Sequence, residues 1–234
     1  MNALKKKNLV YEKEGATWFK TTEVGRGQDR VIIKSSGEPT YRLPDIAYHL
    51  DKFNRGYDLM VDVLGADHMD SYPDVLVGIE QLGCDIEKMK VLIHQFVTLT
   101  ENGEPVKMST RKAQYITLNE LIEEVGIDVV RYFFIMRGIN THLNFDLTLA
   151  KDESDENPVY YLQYAHARLC NILKHAKSKG YKLDKSTDLT LLTLDTEISL
   201  IKSLLEFPNI IAKTRNNLEP QSIANYLQSI AGMF

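Results

Sequence analysis

Residues 58–99, DLMVDVLGADHMDSYPDVLVGIEQLGCDIEKMKVLIHQFVTL, decide the fold class. DLMVDVL (58–64) is apolar and β-branched enough for a buried strand, and it ends on Gly65. Residues 74–82 read as a helix and KVLIHQFVTL (90–99) as the next strand. Strands alternating with helices call for an α/β layer. Upstream, TWFKTTEVGRGQDRVIIK (17–34) predicts two strands around a Gly25–Gly27 turn, continuing to a second turn at Ser36-Gly37. Downstream, Asn102-Gly103 predicts a hairpin between the 90–99 strand and Glu104–Lys107. Thr117 followed by Glu120 is a capping box opening a helix over 118–125, and Asp128 is expected to cap the next one, VVRYFFIMRG.

The pattern changes after KDESDENP (151–158), an acidic run closed by proline that reads as a linker. Asn157-Pro158 is a helix start, with an N-cap residue and a proline at the first helical position. Leu162, Ala165, Leu169, Ile172, Leu173 and Ala176 recur at helical spacing, and Leu191–Leu205 and Ser222–Met233 read as two more amphipathic helices. The boundary is therefore placed at 150/151, giving an α/β part over 1–150 and a helical part over 151–234.

Composition excludes several classes. The 234 residues are 44% hydrophobic and 26% charged, which is ordinary for a globular chain and argues against disorder. No stretch approaches the roughly 20 apolar residues of a membrane span, so no membrane partner is expected. The N-terminus lacks the apolar core of a secretory signal. Cys84 and Cys170 offer neither metal-ligand spacing nor a disulfide framework, which suits a reducing cytoplasm; no metal site is expected. The formal charge is -4, so a nucleic acid would need a local patch. Residues 166–185 supply one, with six Lys or Arg against one Asp, although a solvated helix face explains such a run equally well.

Three clusters bear chemistry. In GEPTYRLPDIAYHLDK (37–52), Tyr41 and Asp45 lie four apart, so a helical turn puts a phenol and a carboxylate on one face. That pair suits a cationic ligand such as a guanidinium; on spacing alone a helix cap after Pro44 is the favoured reading of Asp45. In VLGADH (63–68) a strand runs into Gly65, Asp67 and His68. There glycine admits close approach of a ligand and an acid can hold ribose hydroxyls, while an ordinary turn and a structural histidine are the plainer alternative. In KMSTR (107–111), Lys107, Ser109 and Arg111, with Lys112 after them, can stabilise charge building on a triphosphate, or form a solvated basic loop. The chain carries no G-x-x-x-x-G-K-[ST], H-E-x-x-H or G-x-S-x-G, so P-loop, zinc-protease and α/β-hydrolase readings lack their signatures.

These stretches together closely resemble the arginyl-tRNA synthetases, a family of class I aminoacyl-tRNA synthetases. GATWFKTT, DRVIIKSSGEPTYRLPDIAYHLDK, VLGADH, VKMSTRKAQYITLNELIEEVG, VRYFF and above all ENPVYYLQYAHARL (156–169) carry the resemblance, in family order over nearly the whole chain. It implies the second half of a class I Rossmann-type α/β catalytic domain followed by an all-α anticodon-binding-type domain. It also implies a ligase that activates arginine with ATP and Mg2+ and passes it to the terminal adenosine of tRNA, in the cytoplasm. By the same resemblance Tyr41 and Asp45 hold the substrate arginine, and Gly65, Asp67 and His68 lie beside the adenosine and arginine pocket. Lys107, Met108 and Ser109 form the second class I signature over the phosphates, with Lys107 and Ser109 in the catalytic role. Arg168, Lys174 and Lys177 are candidate tRNA contacts.

Two departures qualify the match. Thr110 stands where K-M-S-K has its second lysine, and Ala113 follows Lys112 where the family often has glycine. The first class I signature, H-I-G-H, and the family's N-terminal tRNA-binding domain are not among these residues. The resemblance therefore predicts an internal fragment, inactive alone and dependent on the missing N-terminal part. A non-catalytic tRNA-binding remnant is the alternative, and another class I synthetase a weaker third.

Overall fold

A short helix α1 (Asn2–Lys6) leads into β1 (Val10–Lys13) and β2 (Ala16–Phe19). Glu14 and Gly15 join these strands, both at positive φ (53° and 73°), the backbone of a tight two-residue hairpin. They belong to the first of two units, Met1–Gln95 and Phe96–Phe234, in the computed structural model, which describes residues 1–106, 116–182 and 188–234. A 3-10 turn at Thr21–Val24 ends on Gly25 at φ 90° and feeds β3 (Arg30–Ile33). The three strands form an antiparallel meander with Tyr11 opposite Trp18 and Trp18 opposite Val31. The two strands predicted within 17–34 are β2 and β3. Their partner β1 went unread because Glu14 is not a residue expected at positive φ.

Next come α2 (Arg42–Asn54), β4 (Met60–Gly65), α3 (Tyr72–Gln81) and β5 (Met89–His94). β4 and β5 are parallel, in register from Met60 opposite Met89 to Gly65 opposite His94, so α3 is the crossover of a βαβ unit. Leu4, Phe19, Ile32, Ile46, Val75 and Ile79 close the core between meander and helices. Gly78 permits that closure, because a Cβ there would fall 2.7 Å from Ile46 Cδ1.

Two ionic clusters fasten this unit. Asp74 of α3 is fully buried. Its Oδ1 accepts from Arg26 Nε at 2.9 Å and its Oδ2 from Arg42 Nε at 2.8 Å, while Arg30 Nε stands 3.0 Å from Oδ2 as an ion pair without hydrogen-bond alignment. Asp70 adds a second carboxylate, taking Arg30 at 2.8 Å and Arg42 at 3.4 Å. The other cluster ties α2 to β4: Asp62 accepts from Lys52 and from His49 Nε2. Burial by itself raises the Asp62 carboxyl, but the hydrogen bonds and charges of Lys52 and His49 outweigh it and hold the group below the ordinary carboxylate value.

The strand predicted over 90–99 is two strands in different sheets, β5 and β6 (Val97–Glu101), divided at Gln95-Phe96. Only the polar pair His94-Gln95 stands at the division, with no Gly or Pro to punctuate the run. β6 turns at Asn102-Gly103 (φ 52° and 80°) into β7 (Glu104–Pro105), the predicted hairpin; its second strand, expected to reach Lys107, ends at Pro105, and Lys107 lies outside the described residues. Thr117 and Glu120 form the expected capping box on α4 (Leu118–Val125). α5 (Ile127–Ile135) is capped by Gly126 at φ 85°, not by Asp128, which lies in its first turn without a cap bond. β8 (Leu143–Asp146) runs parallel to β6, and Asp146 caps α6 (Leu147–Lys151) through the amides of Thr148 and Leu149.

Residues 152–157 are tied down tightly. Asn157 is buried, donates to the carbonyls of Ala150 (3.2 Å) and Asp152 (2.9 Å), and accepts from Val159 N at 3.0 Å, which starts α7 (Pro158–Ser178). Leu99, Leu121, Phe133, Phe145, Leu147 and Val159 make one core, with the Phe133 and Phe145 rings 5.1 Å apart. α8 (Asp195–Leu205), α9 (Phe207–Asn217) and α10 (Gln221–Met233) complete the unit. α9 had no counterpart in the sequence reading. The Tyr132 and Tyr161 hydroxyls donate to the α10 carbonyls of Ala224 and Ala231. Among the described residues no helix is long and apolar enough to cross a membrane.

Removing the Asp74 carboxylate leaves three guanidinium groups without their buried partner. Asp74→Ala is expected to cost the first unit about 3–5 kcal/mol. Urea unfolding followed by fluorescence of Trp18, the only tryptophan, checks this; a loss below about 1 kcal/mol contradicts it. Asp62, whose folded pKa is depressed, contributes stability above its unfolded pKa and loses it as pH falls through the folded value. Asp62→Asn should therefore flatten the acid limb of the stability–pH curve below about pH 4, and equal slopes in the two proteins contradict the pairing.

Candidate active site

Ligands of open parallel sheets bind beyond the carboxyl ends of the strands. β4 reaches that end at Gly65, and a 3-10 turn over Ala66–His68 follows directly. A Cβ at position 65 would fall 2.6 Å from Asp67 Oδ1, so glycine lets the Asp67 side chain fold back against the strand end. Below this turn lies a cavity of about 210 Å³, walled by Asp45, Tyr48 and His49 of α2, Asp62 and Leu64 of β4, and His68, Ser71 and Tyr72.

The cavity unites two of the sequence-selected residues, Asp45 and His68, from segments more than twenty residues apart. Asp45 is not a cap. Tyr41 occupies the N-cap position of α2 without a side-chain cap bond, and Asp45 sits within the first turn with its amide bonded to the Tyr41 carbonyl at 3.1 Å. Among the described residues the Asp45 carboxylate has no hydrogen-bond or ion-pair partner. Asp62, the other acid in the wall, is engaged by Lys52 and His49. A carboxylate left open beside Tyr48 and Tyr72 can accept a planar cation through two parallel hydrogen bonds.

Other selected residues stand outside this wall. Tyr41 is 92% exposed and does not line the cavity, although it shares a helix face with Asp45. Gly65 and Asp67 are exposed at the strand end, with Asp67 Oδ2 3.9 Å from His68 Nε2. Lys107, Met108, Ser109, Thr110, Arg111, Lys112 and Ala113 lie outside the described residues. Among those described, no group of three or more His, Cys, Asp and Glu is placed to hold a metal ion.

The sequence reading passed over His49, Lys52 and Asp62. Two signals were available: an acid in the middle of an apolar strand, DLMVDVL, and a histidine four residues after Asp45.

In the second unit Arg168 lines a groove of about 850 Å³ with Tyr164, His175 and Lys179, and Lys174 and Lys177 line a neighbouring one of about 490 Å³. Leu169, Ile172 and Leu173 are exposed on α7 alongside them, so its helical periodicity is real but much of its apolar stripe faces outward. None of the three basic residues forms an ion pair with a described residue. A helix face with uncompensated cations is suited to a phosphate backbone.

Two family models match this chain. Residues 1–132 match the family described as tRNA synthetases class I (R), catalytic domain, and residues 162–234 match the DALR anticodon binding domain. Arginine–tRNA ligases of Salinibacter ruber and Chlorobaculum tepidum are 54% and 52% identical over 100% and 99% of this chain. The chain spans 42% of the length of each. A solved chain from Campylobacter jejuni, assigned as an arginyl-tRNA synthetase, superposes with TM-score 0.86 at 34% identity, over 99% of this chain and 51% of that one. The Thermus thermophilus arginyl-tRNA synthetase shares the fold at TM-score 0.76 and 20% identity, over 99% of this chain and 48% of that one. An open carboxylate beneath the end of a parallel strand and a basic helix thus lie in the two matched regions, and the chain belongs to the class I (R) tRNA synthetase family, with part of its α/β catalytic domain followed by a helical DALR domain.

Proposed function

We propose that this chain contributes the arginine pocket, part of the ATP site and part of the tRNA-binding surface of an arginine–tRNA ligase. The open Asp45 carboxylate in its cavity carries the reading. A guanidinium is planar, permanently charged and rich in donors, so it matches an unpaired carboxylate flanked by aromatic rings. Tyr41 is assigned to the same substrate from the rim. Gly65, Asp67 and His68 are assigned to the adenosine of ATP, and Lys107, Met108 and Ser109 to its phosphates. In the first step the arginine carboxylate attacks the α-phosphorus of ATP and pyrophosphate departs, giving arginyl-adenylate. In the second the terminal adenosine hydroxyl of tRNA attacks the arginyl carbonyl and releases AMP. This chain's part in the first step is to hold the amino acid and steady the phosphate charge, where positioning and preorganised charge supply most of the acceleration. Magnesium is assigned as the counter-ion of ATP.

The division at 150/151 separates these tasks: a partial catalytic domain over 1–150 and a partial anticodon-binding domain over 151–234. The family segments, ending at 132 and beginning at 162, leave room for that division. The expected location is the cytoplasm. The isolated chain is expected to form no arginyl-tRNA and to gain activity when the rest of a synthetase is supplied.

In a complete synthetase carrying this segment, Asp45→Ala is expected to lower arginine activation by about 10²-fold or more, because a guanidinium would enter without its charged acceptor. ATP–pyrophosphate exchange in the presence of tRNA measures this, and retained activity removes Asp45 from the site. The uncompensated cations of α7 support a second reading, a tRNA-binding module without catalysis. Both readings predict that the whole chain binds tRNA with affinity falling steeply as salt rises, and that Lys174→Glu with Lys177→Glu reduces the slope by about two. Fluorescence anisotropy at several salt concentrations checks it, and a slope unaffected by the pair moves the tRNA surface elsewhere.

A further inference from the structure

His49 lies in the wall and meets both the residue that carries the open carboxylate and the framework behind it. Its Nδ1 stands 2.7 Å from the carbonyl oxygen of Asp45, and its Nε2 stands 2.5 Å from Asp62 Oδ2. A peptide carbonyl and an ionised carboxylate are acceptors only, so satisfying both asks the ring to donate from each nitrogen. Lys52 takes the other oxygen of Asp62. The ring is thereby a strut within α2: one nitrogen bears on the backbone of the residue that carries the open carboxylate, while the other meets Asp62 on β4.

We propose that His49 is a positioning residue for Asp45, and through it for a guanidinium-bearing ligand. Holding the Asp45 carbonyl fixes the first turn of α2, and with it the direction in which the carboxylate enters the cavity. A displacement of about 1 Å is enough to break a bidentate pair. With Lys52, the ring also satisfies Asp62, which leaves Asp45 as the open acid in the wall. The inference rests on the arginine-pocket reading above, and the experiment separates the two.

Two isosteres divide the bonds of the ring. Asparagine places its amide nitrogen near the position of Nδ1, so His49→Asn can keep the bond to the Asp45 carbonyl and drops Asp62. Glutamine reaches the position of Nε2, so His49→Gln keeps Asp62 and drops the carbonyl. Arginine titrations of the labelled whole chain, followed by NMR, compare wild type, both variants and Asp45→Asn, with thermal unfolding as a check on folding. The expected order is affinity within threefold of wild type for His49→Asn and about tenfold weaker for His49→Gln. The opposite order makes His49 a brace between α2 and β4 and overturns the proposal, as does equal affinity in all three. A second readout needs no ligand. The 13C shift of the Asp45 carbonyl should match wild type in His49→Asn and move in His49→Gln, and an unmoved shift overturns the strut. Should wild type and Asp45→Asn respond identically to arginine, the pocket reading fails, and the carbonyl shift still decides the strut.

Discussion

A buried carboxylate holds the first unit in register. Asp74 sits on α3 with no exposure to solvent, and its three arginine partners come from three places: Arg26 after the 3-10 turn, Arg30 at the start of β3 and Arg42 at the start of α2. Such a charge is costly to desolvate, and it is tolerable only because its oxygens meet cations from several directions. The arrangement has one consequence for function. Arg42 opens α2, three residues before Asp45, so the interaction that seals the core also sets where the helix carrying the candidate carboxylate begins.

The same helix is restrained along its length by different chemistry. Gly78 lets α3 approach until Ile46 fills the space a Cβ would take, which presses α2 onto the core. One turn further on, His49 and Lys52 reach across to Asp62 on β4. A charge anchor at the start, close packing in the middle and an ionic tie beyond leave α2 little freedom to rotate. A site built on a helix held in this way keeps its geometry before any ligand arrives, which is the condition for preorganised recognition.

The second unit is organised by its caps and turns. Asn102-Gly103, Thr117 with Glu120, Gly126, Asp146 and Asn157 each fix where an element stops or starts. Asn157 does most, because its buried amide closes the segment from Ala150 to Asp152 while its oxygen starts the longest helix. The acidic stretch that reads as a linker is thereby held against the core that Val159 enters. α7 exposes basic and apolar side chains together.

Local chemistry was legible wherever a residue acts on its own neighbours. The Asn102-Gly103 hairpin, the capping box, the Asn157-Pro158 start and the apolar β4 all follow from backbone preferences within four residues, and the ordered motifs marked the family. Sequence reading failed where the deciding partner is distant or the local signal is weak. The 90–99 run divides between two sheets with no Gly or Pro to punctuate it, and Asp128 yields its cap position to a glycine whose φ of 85° it would adopt only with strain. The pairing of Asp74 with Arg26, Arg30 and Arg42, and of Asp62 with His49 and Lys52, joins residues 10 to 48 positions apart. The sequence by itself determined the family, the α/β-then-helical order and Asp45 as a candidate. Only the tertiary structure decided that, among the described residues, Asp45 is open while Asp62 is engaged, because the state of a carboxylate depends on which cations the fold brings within a few ångströms, and spacing along the chain does not encode that distance.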